Sequence, residues 1–301
     1  MHGGILHVNH IKDQIHCERA YRMGLSGKGI GVAVLDTGIF LHRDFDSRVT
    51  GFADMVNRRN FAYDDCGHGT HICGIIGGSG RMSGGRYSGI APGCNLIMVK
   101  VLDRKGNGYS SDVLAGISWV LERKEQLGIR ILNISVGACS KRGMSENSAL
   151  VKGVNRAWDA GLVVVVAAGN NGPRTMSITT PGISRKVITV GCSDDDREVL
   201  VGGNRMVDYS GRGPTAACIC KPDLVAPGCS VVSCSSRADK YTIKSGTSMS
   251  TPIVSGAVAL LLERFPDMSN KDVKLRLRES SVDIGLPRNQ HTVYSSFNND
   301  F

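Results

Sequence analysis

Aromatic side chains are scarce: Phe, Trp and Tyr together make up 5% of the 301 residues. A large core must therefore be filled by Val, Ile, Leu and Ala, and no aromatic platform accompanies the basic residues. The formal net charge of +9 comes from 36 Lys and Arg against 27 Asp and Glu. These cations lie scattered in short groups such as NRRN (Asn57 to Asn60), which reads as a solvated surface and argues against a nucleic-acid partner. No segment approaches the ~18 consecutive apolar residues of a membrane span, and the start of the chain, MHGGILHVNHIKDQIHCERAYRM, has no apolar signal region. No membrane partner is expected. The expected location is the cytoplasm, with secretion the alternative if the chain begins at a processed end. Internal repeats and low-complexity tracts are also missing, so a solenoid is excluded.

Ten cysteines are present. Five disulfides would suit a secreted protein, yet Cys73 in THICGII, Cys192 in ITVGCSD and Cys234 in VVSCSS sit in apolar or glycine-rich runs, where a reduced thiol packs as a small hydrophobe. Cys218 and Cys220, with Cys229 and Cys234 downstream, have C-x-C spacing, which is not that of a zinc knuckle. The 41% hydrophobic content supports a sizeable core, and 38 glycines predict many tight connections.

Near-continuous apolar runs predict buried strands over Ile30 to Asp36, Asn95 to Leu102, Ile129 to Ser135, Val163 to Ala168 and Lys186 to Val190. Helical periodicity predicts helices over His68 to Ile76, Asp112 to Leu127 and Glu146 to Ala160. This alternation predicts a three-layer α/β/α fold with a mostly parallel central sheet, whose sites form outside the carboxyl ends of the strands. The glycines of GKGIG precede their strand and so are no dinucleotide fingerprint. GGSGRMSGG (Gly77 to Gly85) reads as a flexible, insertion-like loop.

The segment SGTSMSTPIVSGAVALLLERF, from Ser245, opens a buried helix with Pro252 expected in its first turn. Ser248 then stands at the helix N-terminus, where a serine can cap orphan N–H groups or attack a carbonyl whose oxyanion those groups stabilise. Asp36 in LDTG ends a buried strand and is either a turn residue or a shielded, orienting charge. His68 in HGTHICG begins a helix. His71 follows without the glutamate and spacing of a zinc-binding H-E-x-x-H pair. Asn170 ends the run VVVVAAGN, as a turn residue or as an amide donor. Taken together, Ser248, His68 and Asp36 supply a nucleophile, a base and an orienting carboxylate, with Asn170 completing an oxyanion site.

These motifs, DTG, GHGTH, AAGN and GTSMSTP, in this order and with YSGIAPG, SGRGPT and KPDLVAPG between them, resemble the subtilisin-like serine peptidases, the subtilases. Within that family the chain looks most similar to bacterial subtilases of the intracellular sort. The resemblance implies a serine endopeptidase with Asp36, His68 and Ser248 as its triad and Asn170 as side-chain oxyanion donor, needing no cofactor for its chemistry. It implies a peptide or protein substrate held in extended conformation by Gly106, Asn107 and Gly108 on one side and Ser135, Val136 and Gly137 on the other. Gly137, Ala168, Gly169 and Thr179 would shape the pocket for the residue before the scissile bond. The matched stretches hold no acid, so apolar or uncharged residues are expected there, with Thr179 shortening the pocket. Asp44 matches a structural calcium position, although Gly77 to Gly85 offers no further carboxylate.

The expected division is an N-terminal extension (1–23), a peptidase domain (24–282) and a C-terminal tail (283–301), whose sequence lacks the glycine-rich closing strand of the family. An aspartic peptidase, which also uses D-T-G, would need a second such carboxylate in the chain or in a dimer. A non-catalytic peptide-binding module is the other alternative.

Overall fold

The computed structural model describes residues 8–137, 146–283 and 293–295. The remainder of the segment read above as a tail, 284–292 and 296–301, lies outside the described residues.

Two short helices, α1 (Val8–Gln14) and α2 (Glu18–Arg22), lead the chain. They are docked onto the main core through Ile11, Ile15, Cys17 and Ala20. Strand β1 (Gly31–Asp36) follows, then β2 (Val49–Asp54), helix α3 (His68–Gly77), β3 (Asn95–Lys100), α4 (Ser110–Arg123), β4 (Ile129–Ile134) and α5 (Ala149–Asp159). Next come β5 (Val163–Ala167), β6 (Ile188–Cys192), the hairpin β7 (Val199–Val201) and β8 (Asn204–Met206), and β9 (Leu224–Ala226). A second hairpin, β10 (Val231–Cys234) and β11 (Tyr241–Lys244), precedes α6 (Thr247–Arg264), α7 (Asn270–Glu279), β12 (Ser281–Asp283) and β13 (Val293–Ser295).

The main sheet runs β12-β13-β9-β6-β5-β4-β1-β3-β2. Every neighbouring pair is parallel except β12 and β13. Helices α3 and α6 pack on each other and on one face of the sheet, while α4 and α5 pair and approach β1 and β5. This is the three-layer parallel fold expected from the alternating pattern. Its centre is dry because the strands are covered on both faces: Val32 to Leu35 of β1 and Val163 to Val166 of β5 are buried without interruption, which is why these runs do not alternate with polar residues.

Local chemistry moved several boundaries. Ser148 accepts the Val151 N–H and caps α5, so that helix starts at Ala149 and not at Glu146. Pro252 lies inside α6, at its sixth residue, and not in the first turn. Without an N–H it cannot bond the Ser248 carbonyl one turn back. The Gly77 to Gly85 loop is folded, not loose. It turns through a short 3₁₀ segment, Arg81–Ser83, with Ser79 N–H bonded to the Asp44 carbonyl and Met82 N–H to the Asp44 carboxylate.

After β1 the chain crosses to β2 and β3 on one side of the sheet, and β4, β5 and β6 lie on the other. The crevice at that reversal opens beyond the carboxyl ends of β1 and β4, where an α/β sheet has room for a ligand.

Candidate active site

Asp36 is the last residue of β1 and is fully buried. Its carboxylate accepts the Thr37 N–H at 2.7 Å. His68, the first residue of α3, brings Nδ1 to 2.7 Å and 2.9 Å from the two carboxylate oxygens. An imidazole whose Nδ1–H is held this way presents Nε2 as a proton acceptor.

The frame around this pair was not anticipated from the sequence. Asp64 collects the Cys66, Gly67 and Thr70 backbone N–H groups together with the hydroxyls of Thr37 and Thr70. Thr37 Oγ1 in turn accepts the Gly69 N–H. Asp64 thus ties the turn after β1 to the start of α3. The fully buried Lys100 binds the Thr37 and Leu102 carbonyls and Asp65. The signal available in DDCGHGTH was an aspartate four residues ahead of the histidine, able to cap a helix start, but nothing local shows that it also reaches Thr37.

Ser248 is the second residue of α6, behind Gly246 as N-cap, and its side chain caps nothing. Its Oγ donates to the Ser135 carbonyl at 2.7 Å. His68 and Ser248 line the same clefts, one of ≈ 550 Å³ that includes Asn170, Leu200 and Lys244, and one of ≈ 450 Å³ that includes Ser135, Gly137, Gly169, Asn170 and Thr179. The serine hydroxyl therefore rests on a backbone carbonyl, and rotation about its Cα–Cβ bond is needed before it can donate to the imidazole. Loose catalytic hydrogen bonds of this kind are common without substrate.

Asn170 is oriented by Thr247, a second residue the sequence reading missed. Asn170 Oδ1 accepts both the Thr247 N–H and the Thr247 hydroxyl at 3.0 Å, and Thr247 Oγ1 also takes the Gly169 N–H. With its oxygen committed, the amide NH₂ of Asn170 is left as a donor. Met249 N–H is bonded to the Gly246 carbonyl, so the Ser248 N–H remains among the orphan donors of the helix's first turn. A buried chain, Ser255 to Asn133 to Ser135, links α6 to the end of β4. Replacing Asn170 by Ala is expected to lower kcat by about 10²–10³-fold, the loss known for the oxyanion-site asparagine of subtilisin, with little change in KM. Steady-state kinetics on one peptide checks this; a purely structural asparagine would move thermal stability more than kcat.

The remaining sequence-predicted residues surround the clefts. Gly106, Val136, Gly137 and Thr179 line the ≈ 450 Å³ cleft, and Asn107 and Gly108 line an adjoining one with Leu102, Leu150 and Pro181. The Ala168 carbonyl accepts the Thr179 hydroxyl. At three of these glycines the fold itself leaves no room for a side chain. A Cβ at Gly108 would lie 2.4 Å from the Val101 carbonyl oxygen, and one at Gly137 would lie 2.2 Å from Thr179 Oγ1. A Cβ at Gly169, whose φ is +91°, would meet Thr179 Cγ2 at 2.4 Å. Thr179 therefore fills the gap between the two glycine walls.

His71 points away from the clefts. It is fully buried, with Nε2 at 3.1 Å and 3.2 Å from the carbonyls of Val231 and Thr242. Burial, helped by the positive charge of Lys244, lowers its pKa from 6.5 to about 3. Its folded-state pKa is depressed, so the unfolded chain binds the extra proton. Its stabilising contribution is complete above pH ~6.5 and is lost as pH falls toward ~3, approaching about 4–5 kcal/mol at full effect. Thermal melts between pH 7.5 and 4 should fall more steeply for the native protein than for His71→Gln; equal slopes would mean that His71 protonates within the fold.

Calcium does not fit at Asp44. Tyr241 Oη donates to one carboxylate oxygen at 2.6 Å and Met82 N–H to the other at 2.9 Å. Among the described residues, the other His, Cys, Asp or Glu side chains grouped with it are the His42 ring and the Cys234 thiol. A hard cation seeking six to eight oxygens finds neither the number nor the type of donor here.

A hydroxyl at a helix N-terminus and a carboxylate-bound imidazole sharing one cleft, with an amide donor held beside them, define the equipment of a serine hydrolase. The sequence model of the Subtilase family (Peptidase S8) matches residues 27–296. Serine protease AprX of Bacillus subtilis (strain 168) is 42% identical over 88% of this chain, which spans 64% of that protein's length. Subtilisin DY of Bacillus licheniformis is 33% identical over 90% of both chains. Among solved structures, Sphericase superposes with a TM-score of 0.74 at 31% identity, covering 90% of each chain. The chain belongs to the subtilase family of serine proteases.

Proposed function

We propose that Ser248 is the nucleophile of peptide-bond hydrolysis, His68 its general base, Asp36 the carboxylate that orients the imidazole, and Asn170 with the Ser248 N–H the oxyanion donors. The observation that carries this reading is the Asp36–His68 bond, which leaves Nε2 as an acceptor in the cleft that Ser248 lines. Ser248 Oγ leaves the Ser135 carbonyl, passes its proton to His68 Nε2 and attacks the substrate carbonyl carbon. Asp36 stabilises the imidazolium without taking the proton. The oxyanion receives hydrogen bonds from Asn170 and the first turn of α6, whose dipole favours negative charge. As the intermediate collapses, His68 returns the proton to the leaving amine. Water, deprotonated by the same imidazole, then releases the acyl group.

The substrate is an extended peptide lying between residues 106–108 and 135–137, along the clefts those residues line. Among the described residues neither cleft containing Ser248 has an acidic lining side chain, and the ≈ 450 Å³ one contains Lys105 and Lys244. With Thr179 between Gly137 and Gly169, the pocket before the scissile bond suits medium-sized, uncharged side chains. Otherwise identical peptides with Leu, Phe or Arg at that position should be cleaved with kcat/KM highest for Leu, lower for Phe and lowest for Arg. An Arg optimum would remove the preference, and resistance of every peptide would remove the catalytic reading.

A division into extension, peptidase domain and tail at 1–23, 24–282 and 283–301 is supported at its first boundary by the helix break before β1, whereas β13 (Val293–Ser295) pairs with β12 and β9 in the main sheet and goes with the peptidase domain. A reducing compartment such as the cytoplasm is supported by nine cysteines that are all free among the described residues, seven of them wholly or partly buried. None of the described helices is long and apolar enough to cross a membrane.

A further inference from the structure

Behind the N-terminus of α6, a second group of side chains takes no part in the proposed chemistry. Cys192 ends β6, Asp194 follows two residues later, Tyr209 lies between β8 and β9, and Cys229 lies in the turn between β9 and β10. Cys192 Sγ is 3.1 Å from Asp194 Oδ1 and 3.1 Å from Tyr209 Oη, and Tyr209 Oη is 3.0 Å from Cys229 Sγ. The donor atoms of Cys192, Asp194 and Cys229 all lie within 4.8 Å of one another. The two cysteines and the tyrosine are each at most 3% exposed, and Asp194 is 9% exposed.

A hydrogen-bonded core cluster would account for the thiols and the phenol, but not for Asp194. Its Oδ1 accepts the N–H groups of Gly228 and Cys229 at 2.7 Å and 3.1 Å. Its Oδ2 is buried with no partner, and among the described residues no Lys, Arg or His forms an ion pair with it. A buried carboxylate lacking both a counter-charge and a donor for one oxygen is costly, and a bound cation is one partner that would satisfy it.

The donor set states which cation. Two sulfurs and a carboxylate, with a phenol oxygen alongside, suit a borderline-soft ion in four-coordinate geometry and reject calcium or magnesium. Tetrahedral zinc with bonds of about 2.3 Å to sulfur and 2.0 Å to oxygen has donor-to-donor edges of roughly 3.3–3.8 Å. The observed contacts of 3.0–3.1 Å need to open by only several tenths of an ångström.

We propose that Cys192, Asp194 and Cys229, with Tyr209 Oη as the fourth donor, form a structural binding site for one zinc-class divalent ion. Binding exchanges the two thiol protons for the metal, so two protons leave per ion and no oxidant or reductant is needed. The site is structural because it stands one hydrogen bond from the nucleophile helix. Gly228, whose N–H is held by Asp194, accepts the N–H of Gly246, the N-cap of α6, at 3.0 Å. The same glycine packs so tightly that a Cβ on it would lie 2.9 Å from Cys192 Sγ. An ion here would therefore set the turn on which the start of α6 rests, without touching the reacting atoms.

The test titrates cobalt(II) into the purified full chain under reducing conditions, with exposed Cys218 and Cys220 replaced by serine to remove competing thiols. The expected result is one equivalent bound, with intense tetrahedral d–d bands, a thiolate-to-cobalt charge-transfer band, two protons released, and displacement of the cobalt by zinc. Cys192→Ser and Cys229→Ser should each abolish the charge-transfer intensity or weaken binding by about 10-fold or more. Asp194→Asn, which keeps side-chain shape and removes only the charge, should weaken it similarly and keeps the test decisive if a cysteine variant does not fold. Zinc should raise the melting temperature of the parent chain and not that of Asp194→Asn. Absence of stoichiometric binding, binding indifferent to all three substitutions, or a Cys192–Cys229 disulfide in a non-reduced digest would each overturn the proposal.

Discussion

Ser248→Ala is expected to lower kcat by about 10⁶-fold, the scale known for loss of the nucleophile in subtilisin, while leaving KM and thermal stability nearly unchanged. Stability should hold because the Ser248 hydroxyl caps nothing and has a single hydrogen bond, to the Ser135 carbonyl at a partly exposed position. Activity should not hold, since the neighbouring hydroxyl at the start of α6, that of Thr247, is already committed to Asn170 Oδ1 and to the Gly169 N–H. His68→Ala should cost as much on its own, and the double variant no more than either single one, because nucleophile and base act as one unit. A fluorophosphonate probe should label the native protein at Ser248 alone and should fail to label His68→Ala. Additive losses in the double variant, or labelling that survives removal of the imidazole, would show that the two residues work apart. Persistence of peptide binding without labelling would favour the non-catalytic module.

Asp36→Asn is the second large effect, expected to lower kcat by about 10⁴-fold with the fold intact. The hydrogen bonds that Asp36 accepts are the cause. The Thr37 N–H needs an acceptor in a fully buried site, so the asparagine oxygen must turn to it. The amide NH₂ then faces His68 Nδ1, where a carboxylate oxygen had accepted. To receive that N–H, the imidazole must carry its own proton on Nε2, the tautomer that cannot take a proton from Ser248. Geometry is kept and the base is lost. A normal melting temperature with a collapsed kcat is the expected pair of measurements. A loss under tenfold would mean that Asp36 holds the turn after β1 and does not govern the imidazole.

The fold and the site were legible in the sequence to different depths. Five of the nine strands of the main sheet could be read because a buried parallel strand must be apolar on both faces, as in the run VVVVAA; β2, β9, β12 and β13, shorter or less apolar, could not. The motif residues could be picked out because Asp36, His68, Asn170 and Ser248 each stand where an element starts or ends, next to glycines or a buried run. Their supports were hidden. Asp64 serving Thr37, Thr247 fixing the Asn170 amide, and Lys100 closing on the Thr37 carbonyl are pairings between segments far apart in the chain. Local spacing carries no record of such pairs. The Gly77 to Gly85 loop looked loose for the same reason: its anchor, Asp44, belongs to another stretch.

By itself, then, the sequence determined a parallel α/β sandwich and the residue types of a serine peptidase, since periodicity and motif order are properties of neighbours along the chain. Only the tertiary structure decided that Thr179 packs between two glycine walls, that Asp44's oxygens are already taken, and that Cys192 and Cys229 meet around a carboxylate with one bare oxygen. Those outcomes depend on which side chains the crossovers of the sheet bring within a few ångströms of one another, and on whether each buried polar atom then finds a partner.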